Sequence, residues 1–152
     1  ITTTYAPRYM SFREYKGTDL NPEFTGLDTS NMGTMAQMFY YCDALRSIDV
    51  SKFNTTGINN MRYMFYACAN LINLNLSNFN TDRVTDMSYM FANCERLLSL
   101  DIRNFNFNNV SSYVGMFNGV PNNCEIIVAD DGAKRWITSK FSNLTNVKVV
   151  GE

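Results

Sequence analysis

Methionine, tyrosine and cysteine stand side by side in one recurring phrase, and these are side chains that could carry chemistry. The phrase reads Met35-Ala-Gln-Met38-Phe39-Tyr-Tyr-Cys42, then Met61-Arg-Tyr-Met64-Phe65-Tyr-Ala-Cys68, then Met87-Ser-Tyr-Met90-Phe91-Ala-Asn-Cys94. A fading copy, Tyr113-Val-Gly-Met116-Phe117-Asn-Gly-Val120, follows, and Phe39, Phe65, Phe91 and Phe117 are spaced by 26 residues. Equal spacing of Cys42, Cys68 and Cys94 is not the close pairing of a zinc site. Neighbouring coils would bring the thiols to about 5 Å, near enough for a bridge on distance alone. Three in a column cannot all pair, so they read as reduced thiols packing as small apolar groups. Cys124 is out of register.

Catalysis has little to draw on. The 152 residues contain no histidine, which removes the commonest general base and the commonest metal ligand. No nucleophile elbow, phosphate loop or zinc-protease motif is present. The carboxylates are scattered at repeat positions rather than paired as in a glycosidase, and methionine stripes are more often core filler than metal sites. The sequence therefore predicts a non-enzyme with no cofactor and no metal. The net charge of −1 exerts no general pull toward nucleic acid or an anionic membrane. No stretch approaches the roughly 20 apolar residues of a membrane helix, and no signal peptide opens the chain. Ends at Ile1 and Glu152 read as those of a piece of a longer protein.

The elements that must position these side chains follow from the period. A fixed repeat of this size is the mark of a solenoid. Met61, Met64, Phe65 and Cys68 fall at i, i+3, i+4 and i+7, the stripe of a short helix. Thr34, Asn60, Asp86 and Ser112 precede the phrases as candidate N-caps. Leu71-Ile-Asn-Leu74-Asn-Leu76 reads as a strand with alternating faces, as do Leu45 to Val50 and Leu97 to Ile102. Ser77-Asn-Phe79-Asn80-Thr81 returns the chain. Its Phe column (Leu27, Phe53, Phe79, Phe105) is predicted to be core. Its Asn column (Asp28, Asn54, Asn80, Asn106) is predicted to satisfy corner backbone. Twenty asparagines suit such corners.

The sequence thus predicts one domain over 1–152, of α/β class. Residues 1–23 form an N-terminal cap to which Met10, Phe12, Tyr15 and Leu20 offer apolar cover. Residues 24–120 carry the repeats, and 121–152 the last coil and C-terminal cap. That cap includes a strand from Glu125, a capped helix after Asp130, and a final Leu144-Thr-Asn-Val147-Lys-Val149. The architecture expected is a right-handed, leucine-rich-repeat-like solenoid, with a parallel strand ladder on the concave face and short helices on the convex face.

The L-x-x-L-x-L strand, joined to M-x-x-M-F-x-x-C and F-N-T, resembles the BspA-like leucine-rich repeats of bacterial surface proteins and lipoproteins. The resemblance covers about residues 24–128. The fourth copy departs from it by lacking the cysteine and placing Gly115 where tyrosine stands, and the N-terminal cap has no counterpart. The resemblance implies an extracellular, bacterial cell-surface location and a secreted adhesion module. The partner it implies is a host or neighbouring-cell surface or matrix protein, or a glycan. It carries no catalytic residue.

Two surfaces are candidates for binding. The open strand face presents Ser47, Asn73 and Ser99 in one column, Asp49, Asn75 and Asp101 in a second, and Arg103 in a third. A polar ladder of this kind is the usual solenoid binding surface, although it lacks aromatic anchors. Asp49 and Asp101, two coils or about 10 Å apart, are too distant to share a calcium ion. The convex face presents Tyr40, Tyr63, Tyr66 and Tyr89, large rigid amphipathic contacts that could equally stack on one another. The function expected is non-catalytic partner binding by a monomeric domain without nucleic acid or membrane insertion. The alternative is a structural spacer with no ligand of its own.

Overall fold

The computed structural model describes residues 10–18 and 27–152. The chain builds a four-stranded parallel sheet from β1 (Asn73–Asn75), β2 (Ser99–Asp101), β3 (Glu125–Val128) and β4 (Val147–Val149), in that order across the sheet. One helix, α1 (Asp131–Lys140), lies between β3 and β4. The register sets Asn73 beside Ser99, and Ser99 beside Glu125, which is the spacing of the recurring phrase. Leu74, Leu100 and Ile126 point inward and are buried, while their neighbours alternate outward. A strand was also expected over Leu45 to Val50. Among the described residues that segment forms none; Arg46 and Ser47 instead donate their amides to the Thr18 carbonyl.

The phrase itself is not helical. Among the described residues α1 is the only helix, and the phrase folds as a ribbon of overlapping turns. Met38, Tyr40 and Cys42 donate to the carbonyls three residues earlier at 3.2 Å. Gln37, Tyr41, Tyr63, Ala67, Tyr89 and Asn93 have φ between 56 and 62°, at the turn position where type II geometry needs a positive φ. Between these bonds, alternate amides reach sideways. Met35, Gln37, Phe39 and Tyr41 donate to Asn60, Arg62, Met64 and Tyr66 at 2.8–2.9 Å, and the next two copies repeat the pattern.

The accounting explains the preference. An eight-residue helix leaves its first four amides without an intrahelical partner. In the ribbon, all eight amides of Met35 to Cys42 find an acceptor, the second through Thr34 Oγ1 at 3.1 Å. Asn60 and Asp86 serve the later copies in the same way, accepting from Arg62 and Ser88 at 2.9 Å. The expected N-caps therefore bond two residues on, in turns, and Thr34, Asn60, Asp86 and Ser112 form a row of parallel bridges. Paired four-residue turns send positions one, four, five and eight inward, which reproduces the helical spacing. Glycine fits the two positive-φ positions without strain, and the departing fourth copy has Gly115 (φ 64°) and Gly119 (φ 80°) there.

Inside, the apolar columns stack. Phe39, Phe65, Phe91 and Phe117 lie 5.3, 6.0 and 5.6 Å apart between ring centroids. Phe12 stacks on one end at 5.7 Å and Phe141 closes the other edge-on at 5.0 Å. Phe53, Phe79 and Phe105 form the second buried column. Of the expected N-terminal cover, Met10, Phe12 and Tyr15 pack on this core; Leu20 falls outside the described residues. Corner asparagines behave as predicted: Asp28, Asn54, Asn80 and Asn106 each accept from the amide two residues on at 2.9–3.0 Å. No helix among the described residues is long and apolar enough to cross a membrane.

Candidate interaction surface

The ribbon decides where the tyrosines go. Tyr63 and Tyr89 occupy the same positive-φ turn position in successive copies, and their rings stack at 4.9 Å with 8° between planes. Tyr40 and Tyr66 share another turn position and stack at 5.0 Å and 14°. Edge contacts of 5.2 Å between Tyr63 and Tyr66, and 5.9 Å between Tyr40 and Tyr63, join the two stacks. Tyr41, 40% exposed, adds a fifth ring, edge-on to Tyr40 and Tyr66. The guanidinium of Arg13 sits 4.3 Å over Tyr40 and that of Arg62 sits 5.1 Å over Tyr63.

The four predicted tyrosines are thus brought together, half-buried against each other. Asn93 donates to the Tyr66 hydroxyl at 3.4 Å. Desolvation and the neighbouring phenols raise the Tyr66 pKa above its ordinary value. The surface is a cluster of phenol rings flanked by arginine, able to stack, donate and accept. Tyr41, absent from the predicted set, adds its ring to the same cluster.

The polar sheet face is assembled only in part. Asn73 lies beside Ser99, and Asn75 beside Asp101. Ser47 and Asp49 belong to no strand, and a cleft of about 310 Å³ lies between Asp49 and Asn75. The carboxylates and amide of the second column are turned to local use. Asp49, Asn75 and Asp101 accept from the amides of Ser51, Ser77 and Arg103 at 2.9–3.1 Å. The hydrogen bonds from Ser51 hold the Asp49 carboxyl below the usual range. Arg103 closes on Asp101 with a bidentate contact, the shortest at 2.7 Å.

Thiol chemistry is suppressed. Cys42, Cys68, Cys94 and Cys124 are free and buried, and the first three point at the carbonyls of Phe12, Phe39 and Phe65 at 3.2–3.3 Å. Burial pushes Cys42 and Cys124 up to about 11 and Cys94 to about 12, so the nucleophilic thiolate is scarce. Among the described residues, no group of three or more Cys, Asp or Glu could hold a metal ion.

The sequence reading missed a buried polar column. Thr29, Thr55 and Thr81 donate to the carbonyls of Asn54, Asn80 and Asn106 at 2.9 Å and accept from the same residues' amides at 2.7–2.8 Å. The signal was present as the T of F-N-T. The model of a family described as Mycoplasma protein of unknown function, DUF285, matches residues 9–129. No curated protein and no solved structure matches the chain.

Proposed function

We propose that this chain, which belongs to the family described as Mycoplasma protein of unknown function, DUF285, is a non-catalytic interaction module of a bacterial cell surface. In this reading the domain is a right-handed solenoid of 26-residue coils, of the BspA-like leucine-rich-repeat kind. The parallel register and the lateral bonds between phrases support it. Its partner is a protein of a host or neighbouring cell, or a glycan, engaged by the surface of Tyr40, Tyr41, Tyr63, Tyr66 and Tyr89.

The observation that carries the reading is the contiguity of five tyrosines with two arginines over them. Tyrosine and arginine are enriched where partner surfaces bind tightly. The test is binding of the purified domain to matrix proteins, host cells and glycan arrays, comparing wild type with Tyr40→Ser, Tyr66→Ser and the two combined. Binding that falls at least about tenfold in the double variant, the loss of one strong anchor, supports the reading. No binding by wild type at high micromolar concentration would end it.

The competing reading is a structural spacer. It is favoured by the second polar column, whose acceptors are taken up by backbone turns and Arg103. Under it, neither the tyrosine variants nor Asn73→Ala and Ser99→Ala change any attachment of the parent protein.

A further inference from the structure

The ribbons stack with a polarity, and one end is left with donors only. At each of three levels the amides of alternate phrase residues point the same way, into carbonyls of the next copy. Met87, Tyr89, Phe91 and Asn93 donate to Ser112, Val114, Met116 and Asn118. In the fourth copy the corresponding amides are those of Tyr113, Gly115, Phe117 and Gly119. Among the described residues none of these four donates a hydrogen bond to backbone or side chain, whereas the turn bonds of Met116, Asn118 and Val120 are intact. The C-terminal cap covers the apolar end of this level through Phe141 on Phe117, but supplies no carbonyls to the row.

A cleft of about 680 Å³ is lined by Tyr113 and Gly115, the first two residues of this row, together with Lys140 and Phe141. No Asp or Glu lines it. Lys140 stands 5.4 Å over the Tyr113 ring and 4.8 Å over Trp136. It takes part in no ion pair among the described residues. Val114 beside it is 61% exposed, and Gly115 presents no side chain, so another backbone can come close.

We propose that this edge is a docking site for an acidic polypeptide segment. Main-chain carbonyls of the segment accept from the amides of Tyr113 and Gly115, and a side-chain carboxylate meets Lys140. A polypeptide is favoured because the acceptor at every lower level of the same row is a main-chain carbonyl. An extended segment offers same-side carbonyls at alternate residues, about 6.6 Å apart, the pattern of strand addition to an open edge. The acidic character follows from a cleft holding unpaired donors and one ammonium with no opposing carboxylate. The site adjoins the tyrosine surface at Tyr89 but takes its donors from Tyr113, Gly115 and Lys140, so either reading can fail alone.

The test is an NMR titration of the 152-residue domain with a blocked Glu-Thr-Glu-Thr-Glu peptide and its Lys-Thr counterpart. The acidic peptide is expected to shift the Tyr113 to Gly119 amides. At about ten times its Kd it should slow exchange of the Gly115 amide roughly tenfold. Lys140→Glu, an exposed position, should weaken binding about fivefold. Shifts confined to Tyr40, Tyr63 and Tyr66 would overturn the proposal while leaving the tyrosine reading in place. Equal binding of the lysine peptide, binding of free glucuronate but not of peptide, or no shift at about 5 mM peptide, a range that still detects millimolar affinity, would also overturn it.

Discussion

Phe107 stacks face to face on Trp136, with 4.1 Å between centroids and 7° between planes. Phe107 stands at the level where the buried threonine column stops. Thr29, Thr55 and Thr81 each bond the backbone of the next copy, but above residue 107 the chain turns into β3 and α1. An aromatic side chain takes the place of the repeat threonine there, and α1 docks on it through Trp136. Trp136→Ala should cost about 2–3 kcal/mol from lost apolar area and stacking. Phe107→Thr, which restores the repeat residue, should also destabilise. Urea unfolding measures both, and a loss below about 0.5 kcal/mol for Trp136→Ala would mean that α1 docks by other contacts.

The threonine column can be tested by an isosteric change. Thr81→Val keeps the shape and removes a hydroxyl that both donates to and accepts from Asn106. Two partly buried backbone groups of Asn106 would lose their partner, at about 2–4 kcal/mol together. Thr56→Val, on an exposed neighbour, should lie within about 0.5 kcal/mol of wild type. Equal effects at the two positions would refute the pairing.

Gly115 and Tyr89 are coupled. A Cβ at Gly115 would overlap the Tyr89 ring, and its φ of 64° is unfavourable for other residues. Gly115→Ala should therefore cost more than about 2 kcal/mol in the wild-type chain. In a Tyr89→Ala background only the backbone term, about 1 kcal/mol, should remain. Strict additivity in the double-mutant cycle would show that the overlap relaxes without cost.

Phe65 sits in the middle of the stacked column and has no exposed surface. Phe65→Ala should cost about 3–5 kcal/mol as a buried aromatic deletion. Calorimetry showing less than about 1 kcal/mol would remove this column from the core.

The thiols give a pH dependence of defined sign. Burial raises the Cys42 and Cys124 pKa to about 11 and that of Cys94 to about 12, against an ordinary value near 8.5 once unfolded. The unfolded chain therefore releases thiol protons first as pH rises. The stability linked to these groups is complete below about pH 8.5 and declines between there and about 12. The denaturation midpoint should fall over that window, and Cys94→Ala should flatten the fall. A thiol reagent at pH 8 should label the native domain far more slowly than the unfolded one.

Much of this protein could be read from its residues. The 26-residue spacing placed the Phe columns, the corner asparagines, the register of β1, β2 and β3, and the capped helix after Asp130. Each depends on which side chains recur, and recurrence is visible in one dimension. It also made Met, Phe and Cys scaffolding rather than chemistry, since side chains at matching positions of adjacent copies bury one another.

What the tertiary structure decided is how the phrase satisfies its backbone. Apolar residues at i, i+3, i+4 and i+7 fit a helix and a ribbon of paired turns equally well, because both send those positions inward. The choice falls to hydrogen bonds from one copy to the next, such as Gln37 to Arg62 and Tyr63 to Ser88, and no local pattern records an acceptor 25 residues away. From that choice come the positive φ at Tyr63 and Tyr89, the stacking of their rings, and the donor row that ends at Gly119.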